Sequence, residues 1–554
     1  MGIDEIVAAS STSLDERGAG RQIDHDAIII GAGVCGIYQL YRLLELGLDV
    51  KVLEAADGPG GTWYWNRYPG CRFDSESWSY GYSFSKELLE EWDWSEHFAG
   101  QPETLRYLEY VVDKFDLRPR MQFGCRVDRC TWDEDARAWL VELEDQRTLS
   151  CRFLMTAIGL LSAPTKPSFE GMDDFAGASF HTFYWPKEGI DLAGKRVGVI
   201  GTGATGVQVI AELADKVAEL KVFQRRPNWC APLHNSPITP EEMANIRRRY
   251  DEIFARCDET PGGFVHGPVR TKFAEATPEE RLALWEELYD APGFGIWIGH
   301  YLETLTDEEA NAELTEFIAD KIRARVHDPA VAEKLIPRDH GFGVQRVPME
   351  TRYYEAYNRD NVHLIDLTET PIEQITATGI RTSQCEHDLD VIVYATGFDA
   401  VTGAFDRIKF SGVDGQKLRD KWARDPVTYL GVQASGFPNL LMLAGPTSGS
   451  SSTNFPRAIE TAVDWATDLV KHLLATGTTR IDVSANAETR WGEHVKNSYG
   501  HILTRKAKSW MTGYNSNVEG HDALRYVVYF GGAPRYRRWL ADEAASGYAS
   551  FTLD

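Results

Sequence analysis

The chain has 554 residues, 43% hydrophobic and 25% charged, with a net charge of -25 and a pI near 5.1. That length exceeds one ordinary core and predicts two to four domains with room to bury a large cofactor. The acidic balance argues against a nucleic-acid partner, which needs a basic surface to release counterions, and no apolar run is long enough to span a bilayer.

Met1 to about Asp26 is polar and rich in Ser, Asp and Gly. It lacks the apolar centre of a signal peptide, so a flexible tail is expected over residues 1–25. Ile6 stands where a myristoylation signal has Ser or Thr, which argues against a lipid anchor. The eight cysteines are scattered without a C-x-x-C pair. This is the usage of reduced thiols, predicting a cytoplasmic protein without disulfide, zinc site or redox dithiol.

Ala27 to Ile30 is a short apolar run that enters Gly31-Ala32-Gly33-Val34-Cys35-Gly36 and then a helical pattern from Ile37 to Leu46. Strand, tight turn and helix in this order form a dinucleotide fingerprint: the glycines admit a pyrophosphate and the helix N-terminus offers it unpaired N–H groups. Alone the pattern is weak, and a plain βα turn is the alternative. Here the next strand, Val50 to Leu53, ends in Glu54, eighteen residues after Gly36, where an acid accepts hydrogen bonds from a ribose diol.

Gly60-Gly61-Thr62-Trp63 follows and runs through Tyr68-Pro69-Gly70 to Asp74. The glycine pair permits close approach to a ligand, and Trp63 with its aromatic neighbours offers flat surfaces; structural packing is the alternative for these rings. An outward crossing is expected at Met155-Thr156-Ala157-Ile158-Gly159. Beyond it lies the linker Phe175-Ala176-Gly177-Ala178-Ser179-Phe180-His181-Thr182-Phe183-Tyr184-Trp185-Pro186.

Arg196 to Ile200 then leads into Gly201-Thr202-Gly203-Ala204-Thr205-Gly206, a second complete fingerprint. Its second strand, Leu220 to Gln224, ends in Arg225-Arg226, nineteen residues after Gly206, where the first site has Glu54. A carboxylate about 4 Å from a 2'-phosphate costs roughly 4 kcal/mol per unit charge at an effective dielectric near 20, and an arginine gains a similar amount before desolvation. The first site should therefore reject NADP and the second prefer it. FAD at the first and NADPH at the second is the natural pairing, with a surface arginine pair the alternative for Arg225 and Arg226.

From about Ser236 to Pro337 the pattern is helical, as in Glu241 to Arg256, Pro278 to Tyr289 and Ala310 to Val326. We read a helical insertion whose charged faces meet solvent. Gly341 to Glu350 contains Gln345-Arg346, and Asp388 to Asp399 carries an apolar strand into Ala395-Thr396-Gly397, a return crossing. Later come a Ser-rich stretch, Thr447 to Thr453, expected as a mobile loop, and Lys508-Ser509-Trp510-Met511-Thr512-Gly513.

The linker matches F-x-G-x-x-x-H-x-x-x-W-P at every fixed position, and Gly60 to Asp74 matches G-G-x-W-x-x-x-x-[FY]-P-G-x-x-x-D. On these motifs the chain, from about Ile28 to its end, resembles the type I Baeyer-Villiger monooxygenases. The resemblance implies an α/β fold of two Rossmann-like dinucleotide-binding domains, for FAD and NADP, with the helical insertion. The expected division is FAD domain over 26–160 and 387–554, linker over 161–190, NADP domain over 191–235 and 338–386, and insertion over 236–337. It also implies an activity. NADPH reduces FAD, reduced flavin captures O2 as a C4a-peroxide, and the peroxide attacks a ketone to give an ester or lactone.

By resemblance Thr62, Trp63, Asp74 and Tyr80 line the flavin, and Arg346 is the active-site arginine, contacting NADP and oriented by Asp74. His181 and Trp185 couple the domains during NADP movement. Gln345 replaces a lysine that in relatives helps hold the 2'-phosphate, and Arg226, where relatives commonly carry Thr, is expected to restore that charge. Trp510 stands either over the nicotinamide or in ordinary packing. An N- or S-oxygenating flavin enzyme is the nearer alternative; a nonoxygenating reductase or nucleotide sensor is the more distant. The ketone's identity stays open, and a monomer or weak oligomer is expected.

Overall fold

The computed structural model describes residues 23–554. Most of the expected tail, with Ile6, lies outside the described residues.

Two sheets organise the chain. The first takes β1 (His25–Ile30), β2 (Val50–Leu53), β3 (Met121–Gln122), β4 (Val127–Asp133), β5 (Ala138–Leu143) and β6 (Thr148–Thr156). The second takes β7 (Ala178–His181), β8 (Arg196–Ile200), β9 (Glu219–Gln224), β10 (Val362–Asp366) and β11 (Val391–Tyr394). The chain then returns to the first sheet with β12 (Lys409–Ser411) and β13 (Leu440–Met442).

β1 lies between β6 and β2, parallel to both, so both of its edges are paired, and the side chains of Ala27–Ile30 are buried on both faces, as in parallel sheets covered by helices. Ile28 and Ile29 are fully buried, and each such side chain contributes about 1.5–3 kcal/mol. The remaining order of the first sheet is β12-β4-β5-β6-β1-β2-β3, with β13 parallel to the end of β6. Helix α1 (Val34–Glu45) leaves the turn after β1 and packs on a long C-terminal helix over Phe455–Thr476. The Tyr38 hydroxyl donates to Asp464 at 2.7 Å, and Gln39 donates to Thr467 at 3.1 Å.

The second sheet is parallel throughout, in the order β10-β9-β8-β11-β7. Helix α2 (Ala204–Leu213) follows β8 as α1 follows β1. Two placements differ from the expected division. The segment Ala178–His181 inside the linker is the edge strand β7. Strand β11 pairs with β8, so the return to the first sheet comes after Tyr394 rather than at residue 387. The reason is pairing: Val391 to Tyr394 is buried and pairs in parallel with β8 on one side and β7 on the other, inside the second sheet.

The two crossings touch. Thr165 N–H donates to Gly397 O at 2.9 Å, Asp399 N–H to Ala163 O at 2.8 Å, and the Thr396 hydroxyl to Thr165 O at 2.6 Å.

Between 236 and 337 the described residues form helices without strands, including α3 (Pro240–Arg248), α4 (Tyr250–Glu259), α5 (Pro278–Asp290) and α6 (Glu308–Arg325). The single helix expected from Glu241 to Arg256 is broken at Arg249, whose φ of -113° and ψ of 9° leave the helical region. These helices also reach the first domain: His97 lies 2.7 Å from Glu242, and Arg247 pairs with Asp93. Their charged faces are thus only partly solvated.

Candidate active site and nucleotide cavities

A cavity of about 630 Å³ opens where β1, β2 and β6 end, the edge of a parallel sheet where such folds bind ligands. Gly31 and Gly33 line it. Gly31 has φ 104°, and a Cβ there would come within 2.5 Å of Ala157 O. Gly36 does not line the cavity. A Cβ at this position would lie 1.9 Å from Gly31 O, so its part is to let α1 sit against the turn. That helix has neither a side-chain cap nor an acidic residue in its first turn, leaving its N-terminal N–H groups to an anion.

Glu54, also on the wall, is buried. Its oxygens accept one N–H each, from Ala32 at 2.7 Å and Ala56 at 2.8 Å, and each retains a lone pair. Thr62, Trp63 and Tyr80 complete this side, with Trp63 Nε1 donating to the Tyr80 hydroxyl at 3.1 Å. Phe183 and Tyr184 contribute to the same wall, and Phe183 stacks on Trp65 at 5.1 Å and 11°. Sequence reasoning missed these two rings because they fill variable positions of the linker motif. Cavity size, glycine cradle and buried acid together fit FAD.

A second cavity, about 700 Å³, lies at the ends of β8 and β11. Gly201, Thr202 and Gly203 form its floor, and Arg225 and Arg226 project from the end of β9 into its wall. Gly201 and Gly206 are packing glycines: a Cβ would stand 2.5 Å from Ala395 O at the first and 2.2 Å from Gly201 O at the second. At Gly203 a Cβ would meet nothing within 4 Å, so that position opens onto ligand space. Burial, and then the neighbouring Arg226 charge, lower the pKa of Arg225 below the usual arginine range. Two adjacent guanidinium groups favour an anion between them. Gln345 and Lys166 line the same cavity, the latter unmarked by any motif. The set fits NADP with its 2'-phosphate.

Asp74 and Arg346 meet. Asp74 Oδ2 lies 2.7 Å from Arg346 Nη2 and accepts the Met349 N–H at 3.1 Å; the carboxylate is 1% exposed and the guanidinium side chain 30%. Asp74 Oδ1 is buried and receives no hydrogen bond. Neither residue walls a nucleotide cavity, yet the pair joins the loop that carries Tyr80 to the segment that carries Gln345. Beside it, Glu76 Oε1 lies 2.7 Å from His266 Nε2, a contact from the inserted helices that no spacing rule would find.

His181 sits at the crossing. Its Nε2 is 3.1 Å from Gly397 O, and its Nδ1 accepts the Phe183 N–H at 3.1 Å, which fixes the neutral tautomer protonated on Nε2. Burial lowers its pKa to about 4. Trp185 is buried, edge-on to Phe180 at 4.8 Å.

Besides Gly206, which packs behind the turn, two residues expected at NADP are not brought to its cavity. Arg346 is held away by Asp74. Trp510 packs near Val401, Val527 and Val528, since Ser509 caps the turn that carries it by accepting the Met511 N–H at 3.2 Å. The cavity wall there is Ser516 and Asn517 instead. The Ser-rich stretch is also unlike a mobile loop: Thr447, Ser448 and Ser450 are buried, and Thr447 N–H donates to Val527 O at 2.9 Å.

Residues 28–258 match the pyridine nucleotide-disulphide oxidoreductase family model, although all eight cysteines are free and seven are buried. The chain is 46% identical to the 2-oxo-Delta(3)-4,5,5-trimethylcyclopentenylacetyl-CoA monooxygenase of Pseudomonas putida, over 95% of this chain and 98% of the relative. It is 38% identical to a Baeyer-Villiger monooxygenase of Pseudooceanicola batsensis, over 96% of both chains. The crystal structure of OTEMO in complex with FAD and NADP superposes with a TM-score of 0.93 at 45% identity, covering 96% of this chain and 100% of that one. With relatives at these identities aligned along nearly its whole length, the chain belongs to the Baeyer-Villiger monooxygenases.

Proposed function

We propose that this protein inserts one oxygen atom from O2 beside the carbonyl of a ketone, giving an ester or lactone, with FAD in the first cavity and NADPH in the second. The observation that carries the reading is the buried Asp74 carboxylate holding the partly exposed Arg346 guanidinium, a pair that joins the segment of Tyr80 at the first cavity to the segment of Gln345 at the second. FAD reduced by NADPH supplies the activation of dioxygen. The chain supplies binding, orientation and charge.

Gly31, Gly33, Glu54, Thr62, Trp63 and Tyr80 hold the flavin cofactor, and Gly201, Thr202, Gly203, Arg225 and Arg226 hold the reductant. Arg346 presents a fixed positive charge to the oxygen of the ketone carbonyl, where negative charge develops as the new C–O bond forms. A guanidinium suits this because it does not give up its proton. Asp74 orients that guanidinium, and its unfilled Oδ1 leaves room for a second N–H when the side chain adjusts. His181, neutral and bonded to Gly397, ties the two crossings so that the cavities move together.

Holoenzyme supplied with NADPH, 18O2 and cyclopentanone should give a lactone carrying one 18O atom, in step with NADPH consumed. Peroxide without ester from cyclopentanone and from a panel of linear, aryl and steroid-sized ketones would overturn the reading.

Arg226 compensates for Gln345. Both line the second cavity, and the Arg226 guanidinium lies 5.8 Å from the centre of the Tyr514 ring, which steadies it. Arg226→Thr should raise the KM for NADPH about fivefold with kcat little changed, since removing a charge interaction that ground and transition states share equally acts on binding. An unchanged KM refutes the compensation.

A further inference from the structure

Arg325 stands at the end of α6, among the inserted helices, and lines neither nucleotide cavity. Its Nη2 lies 2.7 Å from Glu350 Oε1, and the Glu350 side chain is fully buried. Its Nε and Nη2 donate to the two carboxylate oxygens of Glu355 at 2.6 and 2.8 Å, and Nη1 donates to the Tyr289 hydroxyl at 3.2 Å. The guanidinium also lies 5.1 Å from the centre of the Tyr354 ring. Partners on several sides leave this rigid fork little freedom.

What the fork grips is a short strand. Met349–Glu350 pairs in parallel with Ala231–Pro232 and is fixed further where Leu233 N–H donates to Glu350 O at 2.9 Å. Glu350 Oε2 accepts the Tyr353 N–H at 2.7 Å. The other residue of the strand, Met349, gives its N–H to Asp74 Oδ2, the same oxygen that holds Arg346. Arg325 is therefore linked to the Arg346 guanidinium through Glu350, the Met349 peptide and Asp74. Replacing a buried ion pair by apolar groups is often neutral or stabilising, so fold stability alone is a weak reason to bury a guanidinium against a carboxylate here.

We infer that Arg325 is a positioning residue for the reaction: by clamping Met349–Glu350 it keeps Asp74 and Arg346 paired in one geometry, which makes the inserted helices part of the active site. This rests on the reading of Arg346 given above. A displaced Arg346 would let cofactor reduction proceed while oxygen transfer to the ketone loses its share of turnovers.

The test uses full-length, FAD-loaded Arg325→Met and Arg325→Lys, with Glu355→Gln as a milder variant, because the Glu355 side chain is 43% exposed. Three quantities are read well below each Tm: the anaerobic rate of flavin reduction by NADPH, ester formed per NADPH, and hydrogen peroxide formed. Reduction should stay within about twofold throughout, while ester per NADPH falls about fivefold in Arg325→Met, with peroxide making up the difference. Glu355→Gln should lose about twofold, and Arg325→Lys should recover part of the loss.

A role in stability alone predicts a lower Tm with wild-type ester yield, and that result in Arg325→Met overturns the inference. Should Arg325→Met not fold, wild-type yield in both Arg325→Lys and Glu355→Gln overturns it. Arg346→Ala is measured alongside. Ester from that variant would defeat the reading of Arg346 itself. Its loss there, with normal yield from Arg325→Met, defeats only the positioning role.

Discussion

Arg346→Ala is expected to lower ester formation by roughly 10²–10³-fold, the range measured when one preorganised donor to a developing oxyanion is removed. Flavin reduction by NADPH should remain, because Arg346 does not line the second cavity. The pairing of the two results is the informative part: NADPH is still consumed, and its electrons leave as hydrogen peroxide. The substitution also leaves Asp74 buried with only the Met349 N–H, and breaking a buried pair costs about 3–5 kcal/mol. FAD content and Tm must therefore be read beside activity. Arg346→Lys separates charge from shape. A lysine keeps the positive charge but lacks the planar fork that can hold Asp74 and present a second N–H at once, so most of the loss should persist. Ester formation near the wild-type rate in Arg346→Ala would remove Arg346 from the chemistry.

How far this site could be read in advance follows from the range of the interactions that build it. Both strand-turn-helix units were legible, because glycine spacing, apolar runs and helical periodicity are local properties, and β1 with α1 and β8 with α2 occupy the expected stretches. The contrast between Glu54 and Arg225-Arg226 was legible for the same reason. What the sequence did not disclose was pairing between distant segments. Val391 to Tyr394 is apolar at every position, and periodicity does not say which of the two sheets will take it. The Glu76–His266 contact and the grip of Arg325 on Glu350 leave no trace in spacing. The break at Arg249 was hidden because the arginines around it are good helix formers. Thr447 to Ser450 read as a loop by composition; its hydroxyls are satisfied internally, as where the Thr447 hydroxyl meets that of Thr428 at 2.7 Å.

Gly36→Ala and Gly206→Ala should part the two cofactors. The two glycines occupy equivalent places, and an added Cβ would stand 1.9 Å from Gly31 O in the first and 2.2 Å from Gly201 O in the second. Both obstacles are backbone atoms, so the helix must lift from its strand by about 1 Å, and overpacking of this kind costs about 1–3 kcal/mol. The lift carries the helix N-terminus away from the phosphates it faces. In Gly36→Ala the expected outcome is protein that purifies without FAD and with a lowered Tm, since a bound ligand no longer favours the folded state. In Gly206→Ala the flavin stays, but anaerobic reduction by NADPH slows about a hundredfold, the order of loss that follows a 1 Å misplacement of a reactant. Dithionite should still reduce that flavin, which separates a failed hydride donor from a damaged cofactor. The reverse pattern, flavin lost from Gly206→Ala and kept by Gly36→Ala, would exchange the two assignments. Electrostatics argues against that exchange: it would set a 2'-phosphate against the buried Glu54 carboxylate, and leave Arg225 and Arg226 facing each other without the anion their repulsion calls for.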